Sequence, residues 1–162
     1  MLNDFISLIY PSLCFACNLP LRKGEKYICV SCLLHLPKSN YHKEPDNPIA
    51  RKFFGKVPIK YAMAYYVFKK KSRLQSVIHK LKYKEGQEVG VFLGRNFGLE
   101  LKSDGLSSEF DFIIPIPLHK DKLKKRGFNQ AAVISQGISE GIGIPYSDFV
   151  IERSVFTETQ TK

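Results

Sequence analysis

Cys14, Cys17, Cys29 and Cys32 are the only cysteines of the 162-residue chain, and they fall as two C-x2-C pairs, CFAC and CVSC, eleven residues apart. Each pair can set two thiolates around one ion, and four soft sulfur ligands favour tetrahedral zinc. Lys23-Gly24 lies midway between the pairs, where a hairpin would reverse the chain. Two disulfides are the main rival. Asp4 stands where a secretory signal would carry its basic start, so no export is expected, and a reducing cytoplasm disfavours disulfides. A redox pair would need a βαβ setting that this segment lacks, and iron–sulfur use stays open. Four thiolates leave no open position for substrate. The expected role is therefore structural, replacing a core that so short a module cannot build. With the shell complete, His35 and His42 are expected to face solvent.

The other chemistry is cationic. Twenty-five Lys and Arg against fifteen Asp and Glu give a net charge of +10, spread evenly along the chain. Such a surface attracts nucleotides, nucleic acid or anionic lipid. One run holds Lys69, Lys70, Lys71, Arg73, Lys80, Lys82 and Lys84; a second holds Lys120, Lys122, Lys124, Lys125 and Arg126, offset by Asp121. Lys23, Lys26 and Lys38 add charge around the cysteines. Tyr61, Tyr65, Tyr66 and Tyr83 interleave with lysines, a pattern that suits either base stacking or a core lining. No carboxylate cluster and no nucleophile–base pair stands out: Asp111 and Asp121 are isolated, and His79 and His119 lack a partner nucleophile. No apolar run reaches the roughly eighteen residues of a membrane span.

Several elements would have to position these groups. Leu2, Phe5, Ile6 and Ile9 mark a short helix over 2–9. The prolines of 37–58 read as a linker, and YAMAYYVF (61–68) reads as a strand. Ser72 and Gln75 open a capping box for a helix whose apolar face is Leu74, Val77, Ile78 and Leu81. A second helix over 88–101 directs Val91, Phe92, Phe97 and Leu101 to the core, and Gly90, Gly94 and Gly98 permit close packing. FDFII (110–114) reads as a buried strand that leads through a proline loop and a basic segment to a helix over 129–140. Together these make a βα unit of a parallel sheet, hence an α/β fold. Gly127 would let backbone approach an anion near the basic segment and the helix start.

PIPLHKDKLKKRGFNQ, IHKLKYKEG (78–86) and ERSVFTETQT (152–161), together with the cysteine pairs, resemble the competence protein F (ComF) family over almost the whole chain. That family joins an amino-terminal zinc ribbon to a type I phosphoribosyltransferase-like domain and is associated with DNA uptake. The resemblance implies a zinc ribbon over 1–40, a linker over 41–58 and a partial phosphoribosyltransferase-like domain over 59–162. It places Ile116, Pro117, Leu118 and His119 in a pyrophosphate loop beside Lys124, Lys125, Arg126, Gly127 and Asn129. Arg153, Thr157 and Gln160 would begin a mobile loop. Mg²⁺ and phosphoribosyl pyrophosphate are the implied ligands. The family's Asp-Asp and Thr-Thr-Gly loop has no counterpart here, so the resemblance implies a truncated, non-catalytic binder of phosphate-rich ligands. Single-stranded DNA, DNA-uptake proteins and self-association through an open sheet edge are the expected partnerships. The alternative is a zinc-ribbon component of a DNA uptake apparatus that binds nucleic acid or protein.

Overall fold

A computed structural model describes residues 10–83 and 86–155. The expected helix over 2–9 lies outside the described residues. The chain divides into two compact units, Met1–Lys80 and Leu81–Lys162.

The first unit is mostly turns. It contains helix α1 (Val30–Leu34), two 3-10 turns (Tyr41–Lys43 and Ala50–Lys52) and helix α2 (Arg73–Lys80). Its buried apolar residues are few and small, with Cys14, Ala16, Ile28, Cys32, Leu36, Ala50, Leu74 and Val77 among them. So thin a core needs a staple. Asn47, almost fully buried, ties the proline-rich segment together. Its amide nitrogen donates to the carbonyls of Tyr41 (3.2 Å), Glu44 (2.8 Å) and Ala62 (2.9 Å). Its oxygen accepts the N–H groups of Ile49 (2.9 Å) and Ala50 (3.0 Å). The capping box at α2 is present: Ser72 Oγ accepts the Gln75 N–H at 3.3 Å, while Gln75 Oε1 reaches back to the Lys71 N–H at 2.6 Å. Leu74 and Val77 face inward, and Ile78 is exposed.

The second unit rests on helices α3 (Gly86–Ser103) and α5 (Gln130–Ile142), with a 3-10 turn (Leu106–Glu109) and helix α4 (Lys120–Arg126) between them. The glycines expected to allow close approach do so. A Cβ built on Gly94 meets the Ile134 carbonyl and the Ile138 nitrogen, and one on Gly137 meets the Val91 carbonyl and the Arg95 nitrogen. Backbone thus lies against backbone. The inward face of α3 is consequently Val89, Gly90, Gly94, Gly98 and Leu101, whereas Val91, Phe92 and Phe97 are only half-buried.

The expected α/β fold is overturned. The described residues contain no sheet, only three isolated bridges: Leu13 with Pro20, Lys38 with Tyr66, and Ile113 with Tyr146, the last parallel. Residues 61–67 are all half-buried, without the alternation that would give a strand one apolar face. Two backbone bonds, Ser39 N–H to Tyr65 carbonyl and Val67 N–H to Pro37 carbonyl, hold that segment beside residues 37–39. In FDFII, Phe112 and Ile114 are exposed, and Pro115 and Pro117 supply no N–H to extend a ladder. Ile113 alone pairs, bonding Pro145 and Ser147 at 3.0 and 3.2 Å. Without a sheet, the phosphoribosyltransferase-like domain and the function drawn from it are not supported, and self-association through an open sheet edge has no edge to use. Among the described residues the regular secondary structure is helical, with a cysteine cluster. No helix among the described residues is long and apolar enough to cross a membrane.

Candidate metal centre

The cysteine pairs are brought together by turns that the sequence specifies locally. After Cys14, the chain folds back with the Asn18 N–H on the Cys14 carbonyl (2.9 Å) and the Cys14 N–H on the Leu19 carbonyl (2.8 Å). Asn18 takes φ +60°, a conformation its short polar side chain tolerates. A bond from Phe15 N–H to Tyr27 carbonyl (2.9 Å) links the two loops. Between them the chain reverses at Gly24, φ +92°, as the Lys23-Gly24 signal predicts. The Glu25 carboxylate accepts the N–H groups of Arg22 and Val30, both at 2.8 Å. Those two bonds, Arg22's first, hold its carboxyl below the usual carboxylate range. Cys29 caps α1, its sulfur accepting the Cys32 N–H at 3.4 Å.

All four sulfurs lie within 4.8 Å of one another, and no disulfide joins them. Cys17 Sγ and Cys29 Sγ are 4.0 Å apart. A tetrahedral ion with Zn–S bonds of about 2.3 Å needs sulfurs about 3.8 Å apart. The cluster therefore meets the requirement with adjustments of a few tenths of an ångström to about 1 Å. Electrostatics agree. Burial pushes the Cys14 thiol up, but the N–H groups of Cys29, Cys17 and Ala16 outweigh it and bring the pKa down to about 7. The Cys29 N–H lies 3.3 Å from that sulfur. At Cys29 the Cys32 N–H acts downward, yet burial and the Cys14 and Cys17 thiols raise the group overall. Burial and then the Cys29 and Cys17 thiols raise Cys32 strongly. Four crowded sulfurs resist joint ionisation unless a cation neutralises them.

The set is closed. Among the described residues it is the one group of three or more metal-ligating side chains within reach of a single ion. His35 is exposed, as expected, and its Nδ1 lies 2.6 Å from the Ser31 carbonyl. His42 is buried, contrary to expectation, because the 3-10 turn at Tyr41–Lys43 tucks it inward. At the turn after the first pair, Lys80 Nζ bonds Asn18 Oδ1 at 2.5 Å and lies 5.1 Å from the Phe15 ring centroid. One lysine of the first basic run thus braces the loop. Lys26, Lys38 and Lys60 also sit over tyrosine rings, at 6.0, 5.5 and 5.6 Å from their centroids.

In the second unit the basic segment is helix α4. His119 caps it, with Nδ1 3.3 Å from the Asp121 N–H and 3.4 Å from the Asp121 carboxylate. Gly127 closes it at φ +81°, donating to the Leu123 carbonyl. Lys124 and Lys125 are exposed, and Arg126 donates to Gln130 Oε1 at 2.8 Å. Asn129 caps α5 through the Ala131 N–H and donates to the Ile116 carbonyl at 3.0 Å. Pro117, Leu118, Asn129 and Arg153 line a cavity of about 540 Å³, together with Phe128 and Tyr146. Ile116, His119, Lys124, Lys125, Arg126 and Gly127 are not part of its wall. Thr157 and Gln160 lie outside the described residues.

Two organising residues escape a sequence reading. Glu25 is signalled only by its place after the Gly24 turn, and Asn47 only by the turn-like PDNP.

No family model and no solved structure matches the chain. Over 169 aligned residues, covering 94% of this chain and 71% of each relative, it is 27% identical to the DNA utilization protein YhgH of Shigella flexneri and 27% to that of Escherichia coli strain K12. The Salmonella typhimurium YhgH is 26% identical over the same shares. The chain with this closed cysteine cluster is thus similar, over nearly its whole length, to proteins named for DNA utilization.

Proposed function

We propose that the chain is a zinc-stapled nucleic-acid-binding component of DNA utilization. Its ligand is single-stranded DNA, its partners are other DNA-uptake proteins, and it works in the reducing cytoplasm, where four thiols stay available to metal. The observation that carries this reading is the closed four-cysteine cluster. A shell filled by protein sulfur offers no position for substrate, so the ion holds structure instead of performing catalysis. The DNA side draws on the likeness to YhgH proteins and on the net charge of +10.

The exposed Lys38 and Lys60 supply cations for the phosphates of a single strand. The exposed Lys124 and Lys125 of α4 supply phosphate contacts in the other unit. Fluorescence anisotropy of the zinc-loaded chain with a labelled oligonucleotide tests the reading. Affinity should fall steeply between about 50 and 200 mM salt. Binding that is indifferent to salt, or no binding by fully zinc-loaded protein, overturns it.

A further inference from the structure

Two of the four cysteines are fully buried and two are only partly so. Cys14 and Cys32 are 0% and 1% exposed, whereas Cys17 and Cys29 are half-buried. The half-buried pair comes from different C-x2-C loops, and its sulfurs stand 4.0 Å apart. A disulfide of about 2.05 Å requires them to close by about 2 Å, within reach of side-chain rotation on loops already linked by the Phe15–Tyr27 backbone bond. Either bond within a C-x2-C pair would instead join a half-buried cysteine to a buried one.

We propose that the Cys17–Cys29 edge is a peroxide-sensitive modification site, where oxidation joins these two cysteines and expels the metal. The inference rests on the zinc reading above. One edge thiolate attacks the peroxide O–O bond; a sulfur–oxygen bond forms and hydroxide leaves. The second thiolate attacks that sulfur, so the sulfur–sulfur bond forms, the sulfur–oxygen bond breaks and a second hydroxide leaves. Two electrons pass from the two thiolates to peroxide, and solvent protonates both hydroxides. The ion then retains two sulfur ligands of four and dissociates, which removes the staple from a unit with little other core. Thiol reductant with added zinc reverses the change.

The test treats the full, zinc-loaded chain with hydrogen peroxide in the presence of a chromophoric zinc chelator, then blocks free thiols and maps cross-linked peptides by mass spectrometry. Zinc is counted before peroxide is added. The expected result is loss of about two thiols for each zinc released, with Cys17–Cys29 as the first cross-link. Release with a Cys14–Cys17 or Cys29–Cys32 bond, release through sulfinic acid without a cross-link, or retention of zinc after thiol loss overturns the proposal while leaving the zinc reading intact. A chain without zinc at the outset fails both. Mapping the unaltered chain avoids dependence on cysteine variants that do not fold.

Discussion

Replacing Gly137 by alanine puts one methyl group into the tightest crossing of the second unit. The new Cβ would meet the Val91 carbonyl and lie 2.8 Å from the Arg95 nitrogen, against 3.4 Å or more for ordinary contact. Both neighbours are backbone, so no rotamer change relieves the clash, and the Val91 carbonyl, the nearer of the two, forces α3 and α5 apart by about 1 Å or more. Alanine gains roughly 1 kcal/mol of helix propensity over glycine. Overpacking against an immobile neighbour lies at the upper end of about 1–3 kcal/mol. The net loss should be about 2 kcal/mol, a Tm lower by about 8–16 °C for a unit of this size. Gly90→Ala is the internal comparison, because its Cβ meets side-chain atoms and no backbone, Val133 Cγ2 at 2.7 Å and Leu81 Cδ1 at 3.0 Å. Leu81 can turn aside and Val133, stiff in its helix, needs only a local shift, so the loss should be about 1 kcal/mol, smaller than at Gly137. Thermal unfolding followed by circular dichroism at 222 nm reads both variants. A Gly137→Ala protein as stable as wild type, or a Gly90→Ala protein equally damaged, would refute the backbone-contact argument.

Asn47→Ala should cost about 3 kcal/mol or more in urea unfolding, since it strands buried carbonyl and N–H groups now served by one amide. Glu25→Ala should weaken zinc retention roughly tenfold in a competitive chelator titration at neutral pH, because the Arg22 and Val30 N–H groups lose their acceptor. Glu25's carboxyl is depressed in the folded chain, so its support is present above the ordinary value of 4.5 and is lost as pH falls through the depressed one. Zinc binding to metal-free chain at pH 7 should release more than about two protons, since Cys29 and Cys32 are raised and Cys14 sits at about 7. Calorimetry in buffers of different ionisation enthalpy counts them. Neutralising Lys124 and Lys125 together should lower the slope of log affinity for single-stranded DNA against log salt by about 1.4.

Local signals in the sequence were the dependable ones. The cysteine spacing, the Gly24 reversal, the Ser72–Gln75 cap and the glycine spacing of α3 each specify structure over a few residues, and each stands in the fold. Strands depend on partners elsewhere in the chain, which composition does not supply. YAMAYYVF and FDFII have strand-like residues but find one bridge each. The helix α4 is legible in the sequence: His119 before Lys120, Asp121 in the first turn, cations in the last and Gly127 beyond are a complete set of start and stop signals. Burial of His42 had no local signal, because it follows from how the Asn47 turn packs residues 41–50.

Native mass spectrometry of the chain with a short oligothymidine weighs metal and DNA in the same ion. The account predicts a complex of one chain, one zinc and one oligonucleotide, with the DNA-bound species disappearing once a chelator removes the zinc. DNA-bound chain that carries no zinc, or zinc-loaded chain that takes up no DNA at low salt, would contradict it.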